Sequence, residues 1–239
     1  MSQCIIDPVR ANGEPILPMT GILAVNPADA SGFCGLAKRF GLNAHALFNA
    51  KLLSNDVFFL AGPAVGAPMA AICLEKLIAL GTRRIVVYGW CGSLSPRLAA
   101  GALFVPNAGV SEEGTSSHYQ DGGEGRHDEA FRMQLVDAFA REGCPTTQGR
   151  IWTTDAVYRE TREKVERYGG QGVLAVDMEY TALSAVAAFR GVSLAAVMLV
   201  SDELYHRQWA PRFHRKQFRT ASKRILDRLC TLLHTGKLS

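Results

Sequence analysis

The stretch Val86–Leu94 constrains the fold more than any other part of the chain. Three apolar, strand-forming residues, Val86 to Tyr88, run directly into Gly89-Trp90-Cys91-Gly92. This pattern predicts a buried strand that breaks into a glycine-bounded turn, where backbone N–H groups are exposed beside little side-chain bulk. In open α/β sheets, ligands bind at the carboxyl edge of the strands. We therefore expect an α/β fold with a binding site beside Gly89–Gly92.

The rest of the chain alternates between apolar runs and amphipathic segments. The predicted strands are Gly21–Val25, Val57–Ala61, Arg84–Tyr88, Ala102–Pro106, Val173–Val176 and Leu194–Val200. The predicted helices are Ala28–Phe40, Pro68–Leu80, Asp128–Glu142, Ala156–Tyr168, Glu179–Phe189 and about Pro211–Leu233. Strands that are apolar throughout are buried on both faces. The sequence thus predicts one domain over residues 1–239, a three-layer α/β/α sandwich with a mixed, mostly parallel central sheet.

Composition excludes several classes of protein. Of the 239 residues, 48% are hydrophobic and 20% are charged, which is typical of a globular protein with a large core. No apolar run approaches the roughly 18 residues of a membrane span, and no secretory signal is evident, so we expect a cytoplasmic protein without a membrane partner. Six scattered cysteines without a Cys-x-x-Cys pair indicate reduced thiols and no metal site.

The net charge of +4 is concentrated near the carboxyl end of the sequence. Phe218, Ile225 and Leu229 recur there at helical spacing, so the basic residues are expected on the solvated face of an amphipathic helix. We therefore expect no nucleic-acid partner. The glycines at 62 and 66 form neither a Gly-x-Gly-x-x-Gly motif nor a P-loop, which disfavours dinucleotide and nucleoside-triphosphate chemistry.

Two acidic pairs lie where apolar strands end. Asp177 and Glu179 follow one strand, and we favour helix capping for Asp177 and ligand binding, for example to a ribose diol, for Glu179. Asp202 ends the most apolar strand and is a candidate proton donor to a leaving group, with a helix cap as the alternative. His118 and Tyr119 lie in the long polar stretch Ser111–Asp128, which is either functional or disordered, and substrate contact and simple solvation are equally compatible with their position.

Together these motifs resemble the nucleoside phosphorylase-I superfamily, which includes purine nucleoside phosphorylases, uridine phosphorylases and methylthioadenosine nucleosidases. The similar segments, in matching order and spacing, are Gly66-Ala67-Pro68, Gly89-x-Cys91-Gly92, Asp177-Met178-Glu179 and Val200-Ser201-Asp202. The string from Glu113 to Tyr119 is most similar to the uridine-phosphorylase-like branch, whereas Ser201-Asp202 resembles members that act on purines.

The resemblance implies a role for each matched residue. Met178 and Glu179 would hold the ribose, and Asp202 would protonate the purine at N7. Base contacts would come from Tyr158, Asp202, His118 and Tyr119, and Arg212 or Arg215 would support Asp202. The acceptor-side turn would comprise Gly66, Gly89, Trp90, Cys91 and Gly92. The family also implies a homo-oligomer, a dimer or a hexamer, that needs no cofactor, with inorganic phosphate as a possible co-substrate.

The chain departs from the family at the phosphate-binding positions. The family's Gly-Asp-Pro-x-Arg pattern is replaced here by Val25–Asp29. Val87 stands where the family has a second arginine, and Trp90 stands where it has a small hydroxyl residue. A third arginine, which a neighbouring subunit lends in the family, would fall near Ala44 or His45. Loss of several charge-assisted hydrogen bonds, each worth about 1.5–3 kcal/mol, weakens phosphate binding by orders of magnitude.

The predicted function is therefore cleavage of the N-glycosidic bond of a nucleoside, preferably a purine nucleoside, at an atypical phosphate site. Two alternatives stay open. One is a nucleosidase that uses water, with Asp29 as a possible support one position out of register with the nucleosidase branch. The other is a non-catalytic nucleoside-binding protein.

Overall fold

The computed structural model describes residues 4–119 and 128–238. The strands in this part are β1 (Thr20–Ala24), β2 (Asn43–Leu47), β3 (Ala50–Ser54), β4 (Phe59–Gly62), β5 (Arg84–Ser93), β6 (Leu103–Ser111), β7 (Thr146–Thr153), β8 (Val173–Asp177), β9 (Ser193–Glu203) and β10 (Ala210–Pro211). The helices are α1 (Phe33–Phe40), α2 (Ala67–Ala79), α3 (Glu129–Arg141), α4 (Arg162–Gly170), α5 (Tyr180–Arg190) and α6 (Lys216–His234). None of these helices is long and apolar enough to cross a membrane.

The strands form one mixed sheet in the order β10-β9-β6-β7-β8-β5-β1-β4-β3-β2. Strands β4, β1, β5 and β9 run parallel to one another, as do β6, β7 and β8. The two parallel groups meet in antiparallel pairs, β5 with β8 and β6 with β9. Because β5 also pairs with β9, the strands β5, β9, β6, β7 and β8 close into a ring. The carboxyl ends of β5, β8 and β9 meet at one rim, where Gly92 pairs with both Val176 and Asp202.

Helices cover both faces of the sheet, as the apolar strands predict. Along β5, Ile85 and Val87 pack into the core beneath α2 and α5, while Val86 and Tyr88 pack into the core beneath α1, α3 and α6. Side chains alternate between the two faces of a strand, so each strand contributes to both cores. The three-layer α/β/α arrangement is confirmed.

Several predicted element boundaries differ from the structure. The helix predicted over Ala28–Phe40 begins as a 3-10 turn over Pro27–Gly32. Asn26 Oδ1 caps this turn by accepting a hydrogen bond of 2.9 Å from the Ala28 N–H. The helix predicted over Ala156–Tyr168 starts only at Arg162, where the Thr161 side chain caps α4. The hairpin β2–β3 and strand β7 were not predicted, because they carry exposed or mixed residues instead of a continuous apolar run.

The predicted turn at Gly89–Gly92 is wrong. Strand β5 continues through these residues to Ser93, and β6 likewise continues past Pro106 to Ser111. The glycines serve close packing instead: a Cβ at Gly89 would lie 2.7 Å from Val25 Cγ2, and one at Gly92 would lie 2.4 Å from Leu204 Cδ1. The edge of the sheet where a ligand was expected is therefore formed by the end of β5, packed closely against the residues that follow β1 and β9.

Candidate active site

One cavity of about 340 Å³ lies at the rim where the strands of the ring end. The carboxyl ends of β5, β8 and β9 contribute to its wall, together with the segment after β1 and the loop after β9. Its lining residues are Val25, Asn26, Pro27, Val65, Trp90, Cys91, Gly92, Val157, Tyr158, Glu160, Val176, Asp177, Met178, Glu179, Ser201, Asp202, Trp209 and Phe213.

Asp202 reaches the cavity through an irregularity in β9. The register between β5 and β9 shifts at this point, because Cys91 pairs with Val200 whereas Gly92 pairs with Asp202, and Ser201 is the extra residue. A bulge of this kind redirects a side chain at the end of a strand. The Ser201 hydroxyl lies 3.1 Å from the Cys91 carbonyl oxygen and 2.5 Å from Asp202 Oδ1, which fixes one oxygen of the carboxyl group.

Trp209 holds the other oxygen of Asp202. Its indole Nε1 donates to Asp202 Oδ2 at 2.7 Å, and the indole lines the cavity although the residue is 59% exposed. The loop that carries Trp209 is fastened by Arg162, whose guanidinium donates to the carbonyl oxygens of Leu204 at 2.9 Å and of His206. No motif in the sequence pointed to Trp209; its only signal was an aromatic residue in the loop after the Asp202 strand.

Glu179 lies at the amino end of α5 and is buried. Its Oε1 accepts a hydrogen bond of 2.6 Å from the backbone N–H of Gly66, at the start of α2. Gly66 has a φ of 79°, a backbone conformation that is strained for residues with a Cβ. This glycine therefore presents its N–H to Glu179, and the carboxylate retains acceptor capacity on the cavity side.

Asp177 caps helix α5, as predicted. Its Oδ2 accepts from the backbone nitrogens of Tyr180 at 2.7 Å and Glu179 at 3.2 Å, and its Oδ1 accepts from Thr153 Oγ1 at 2.6 Å. Burial raises the pKa of Asp177, and these three hydrogen bonds act in the opposite direction. Burial and the neighbouring Asp177 charge raise the pKa of Glu179. Met178 and Glu179, between the end of β8 and the start of α5, both line the cavity.

Trp90 forms part of the wall and is fixed by α6. Its Nε1 donates to Ser222 Oγ at 2.9 Å, and its ring packs edge-on against Phe218 with 4.8 Å between centroids. Ser222 Oγ also lies 2.8 Å from the Tyr88 hydroxyl and donates to Asp29 Oδ1 at 2.5 Å. Trp90 is therefore a supported wall residue at a position where the resemblance implies a small hydroxyl side chain.

The predicted support by Asp29 does not match its position. Asp29 is 2% exposed, lies behind the Trp90–Ser222 contact and does not line the cavity. Burial raises its pKa to about 6, with the Ser222 hydrogen bond and the Lys223 charge acting in the opposite direction. Asp29 therefore has no direct contact with the cavity in this chain, where a water molecule would have to be activated.

The predicted arginine support of Asp202 also differs from the structure. The Arg212 guanidinium lies 3.9 Å from Glu203 Oε2, and Arg215 precedes α6 in a separate hollow beside Glu203. The Glu203 carboxylate accepts from the Ala100 backbone nitrogen at 2.9 Å, so it is held on the opposite side of β9 from Asp202. In this structure, the neighbour that hydrogen-bonds Asp202 from the following loop is Trp209.

The remaining predicted residues divide into two groups. Tyr158 and the turn residues Cys91 and Gly92 line the cavity. His118 is exposed and Tyr119 packs against Phe189 with 5.6 Å between ring centroids; neither lines the cavity within this chain. The part of the polar stretch from residue 120 to 127 lies outside the described residues.

Sequence reasoning did not identify Glu160, which lines the cavity just before α4. It is half-buried, and burial raises its pKa to about 8. The negative charges of Asp202 and Asp177 raise this pKa further, while Lys164 lowers it. Across the described residues, no group of three or more His, Cys, Asp or Glu side chains is arranged to hold a metal ion.

A family model described as the phosphorylase superfamily matches residues 37–234, so the chain belongs to this superfamily.

Curated relatives are purine nucleoside phosphorylases. The DeoD-type enzymes of Bacillus cereus (strain B4264) and Bacillus thuringiensis (strain Al Hakam) are each 28% identical to this chain over 147 residues, 60% of this chain. The match spans only 63% of the length of either relative.

Solved structures share the fold over nearly the whole chain. Purine nucleoside phosphorylase from Toxoplasma gondii, in complex with immucillin-H, matches with a TM-score of 0.79 and 21% identity, covering 99% of both chains. AMP nucleosidase from Bacteroides thetaiotaomicron VPI-5482 matches with a TM-score of 0.71 and 20% identity, covering 90% of this chain and 89% of the other.

Proposed function

We propose that the protein cleaves the N-glycosidic bond of a purine nucleoside. The observation that carries this proposal is that Asp202 and Glu179 line one cavity, each already oriented by hydrogen bonds to neighbouring residues. Membership of the phosphorylase superfamily and the names of the purine nucleoside phosphorylase relatives support the same reaction.

The two carboxyl groups have different tasks in this reaction. Asp202 gives a proton to N7 of the purine as the bond to the sugar breaks, so the base leaves without a negative charge. Glu179 accepts hydrogen bonds from the ribose hydroxyls, and Met178 contacts the sugar beside it. Positive charge develops on the ribose in the transition state, and the carboxylates of this rim stabilise that charge.

Phosphate is one candidate acceptor, as in the named relatives, and water is the other. Among the described residues that line the main cavity there is no Lys or Arg, and Trp90 occupies part of the wall. A phosphate dianion would depend on backbone N–H groups, which makes its binding weak unless a second subunit supplies a cation. This observation favours phosphate-independent cleavage as the second candidate function.

The acceptor is identified by incubating the protein with purine and pyrimidine nucleosides, with and without inorganic phosphate, and measuring free base and sugar product. Release of base only with phosphate, together with ribose 1-phosphate, identifies a phosphorylase. Equal release without phosphate, together with free ribose, identifies a hydrolase. Tight nucleoside binding without release of any base would contradict the proposal and identify a nucleoside-binding protein.

The proposal includes self-association. The resemblance implies homo-oligomers, and Val65, Ile72 and Phe189 are exposed apolar side chains at 46%, 49% and 42%. Exposed apolar residues of this kind suit a subunit contact better than water. Light scattering coupled to size-exclusion chromatography measures the mass directly, and a monomer of 25.9 kDa would overturn this part.

A further inference from the structure

The cavity continues beyond Asp202, away from the proposed ribose-binding residues. A second hollow of about 260 Å³ does not include Met178, Glu179 or Trp90. It shares five lining residues with the main cavity: Val157, Tyr158, Glu160, Asp202 and Trp209. Asp202 therefore lies where the two spaces meet. If the sugar lies beside Glu179, the base extends past Asp202 into this second hollow.

The second hollow offers few groups that can hydrogen-bond a base. Val157, Val165 and Leu204 are apolar, and the Arg162 guanidinium already donates to the backbone carbonyl oxygens of the loop after β9. The Trp209 indole N–H is used by Asp202. The Glu160 carboxyl group has no hydrogen-bond partner within residues 4–119 and 128–238, and it lies close enough to Asp202 for their charges to interact.

Purine geometry places one substituent beside this carboxyl group. The N7 atom and the substituent at C6 share an edge of the ring, so a purine whose N7 faces Asp202 brings its C6 substituent alongside. An amino group at C6 donates hydrogen bonds, whereas a carbonyl oxygen at C6 only accepts them. Asp202 carries the proton that goes to N7, so the group left to face the C6 substituent is the Glu160 carboxyl group. An oxygen of this group accepts a hydrogen bond from an amino group, whereas a carbonyl oxygen has no hydrogen to donate to it.

We propose that Glu160 is the specificity-determining residue of the site and accepts a hydrogen bond from the exocyclic amino group of a 6-aminopurine nucleoside. This inference rests on the proposed function. It names the substrate class of that site, nucleosides of 6-aminopurines, and assigns to Glu160 a contact that differs from the proton transfer by Asp202.

The experiment compares adenosine, inosine and purine riboside, which carries hydrogen at C6, on the wild type, Glu160→Ala and Glu160→Gln. For Glu160→Ala, kcat/KM for adenosine is expected to fall about tenfold to a hundredfold, mainly through KM, because one hydrogen bond to the base is lost. For purine riboside, the same variant is expected to change little. Glu160→Gln keeps a carbonyl acceptor and is expected to retain most of the activity on adenosine.

The control is Glu166→Ala, which removes an exposed carboxylate from the same helix region without touching either hollow. Equal losses on adenosine and purine riboside would show that Glu160 has only a structural role, and unchanged adenosine kinetics in Glu160→Ala would also overturn the inference. If the wild type releases base from no nucleoside, the proposed reaction fails, but the inference is still tested by calorimetry. Glu160→Ala must then weaken the binding of adenosine more than that of purine riboside.

Discussion

The Trp209 indole N–H and the Asp202 carboxyl group are joined by a hydrogen bond of 2.7 Å across the loop that follows β9. The orientation of Asp202 is therefore coupled to the position of this loop. The loop itself is fastened by Arg162 through the carbonyl oxygen of Leu204. A change in the conformation of this loop would therefore change the orientation of the Asp202 carboxyl group without altering strand β9.

We expect Trp209→Phe to lower kcat about tenfold while KM changes less. The phenyl ring keeps most of the apolar contact with the cavity but cannot donate to Asp202 Oδ2, and a hydrogen bond to a carboxylate contributes about 1.5–3 kcal/mol. Steady-state kinetics with the best nucleoside substrate measure the effect. A fall confined to KM would contradict the role of Trp209 in positioning the acid and leave it as a wall of the base site.

The close contact at Gly92 gives a second prediction. A Cβ at this position would lie 2.4 Å from Leu204 Cδ1 and 3.3 Å from Asp202 Oδ2. We therefore expect Gly92→Ala to lower the free energy of unfolding by about 1–3 kcal/mol and to displace the acid, with a loss of activity larger than the loss of folded protein. Urea unfolding and kinetics on the same preparation separate the two effects.

Gly35→Ala is the matched control for Gly92→Ala. Gly35 lies in α1, and no atom lies within 4 Å of a Cβ added there. This substitution is expected to leave activity unchanged and to stabilise the helix by about 0.5–1 kcal/mol. Equal behaviour of the two variants would mean that the contact between β5 and the loop after β9 is not tight.

Glu179→Gln tests the proposed grip on the sugar. The amide oxygen can still accept from the Gly66 N–H, but an amide nitrogen replaces the second carboxyl oxygen, which would accept from the ribose hydroxyls. We expect kcat/KM for ribonucleosides to fall about tenfold to a hundredfold, with a smaller fall for 2′-deoxyribonucleosides. Parallel losses on both sugars would indicate that Glu179 maintains the helix junction and does not bind the hydroxyls.

Sequence reasoning located Asp177, Met178, Glu179 and Asp202 because each follows a continuous apolar run, and such runs end at the carboxyl edge of the sheet. The structure brings all four to one cavity. Sequence reasoning could not locate Trp209 or Glu160, because both lie on irregular segments without a periodic pattern. Their place depends on how the loops fold back over the rim.

The fold class could be predicted from the same apolar runs, whereas the less buried strands of the sheet could not. Strand β2 is mostly exposed and β7 mixes polar and apolar residues, so neither resembles a buried strand in the sequence. The burial of Asp29 could not be predicted for a related reason. Its partner Ser222 is 193 residues away in the chain, and only the packing of α6 shows that Asp29 faces the protein interior.

Asp29 gives the last prediction, which concerns the pH dependence of stability. Burial raises its pKa to about 6 from an ordinary value of 3.8, so the folded protein binds this proton more tightly than the unfolded chain. The stability that Asp29 contributes is therefore fully present below about pH 4 and is lost as the pH rises through about 6. A shift of two pKa units corresponds to about 3 kcal/mol, an upper value because Lys223 and local relaxation compensate part of the buried charge. We expect Asp29→Asn, which keeps the acceptor for Ser222, to lose less stability than the wild type between pH 4 and pH 7 in urea unfolding. A pH profile parallel to that of the wild type would show that Asp29 is not the group that carries this dependence.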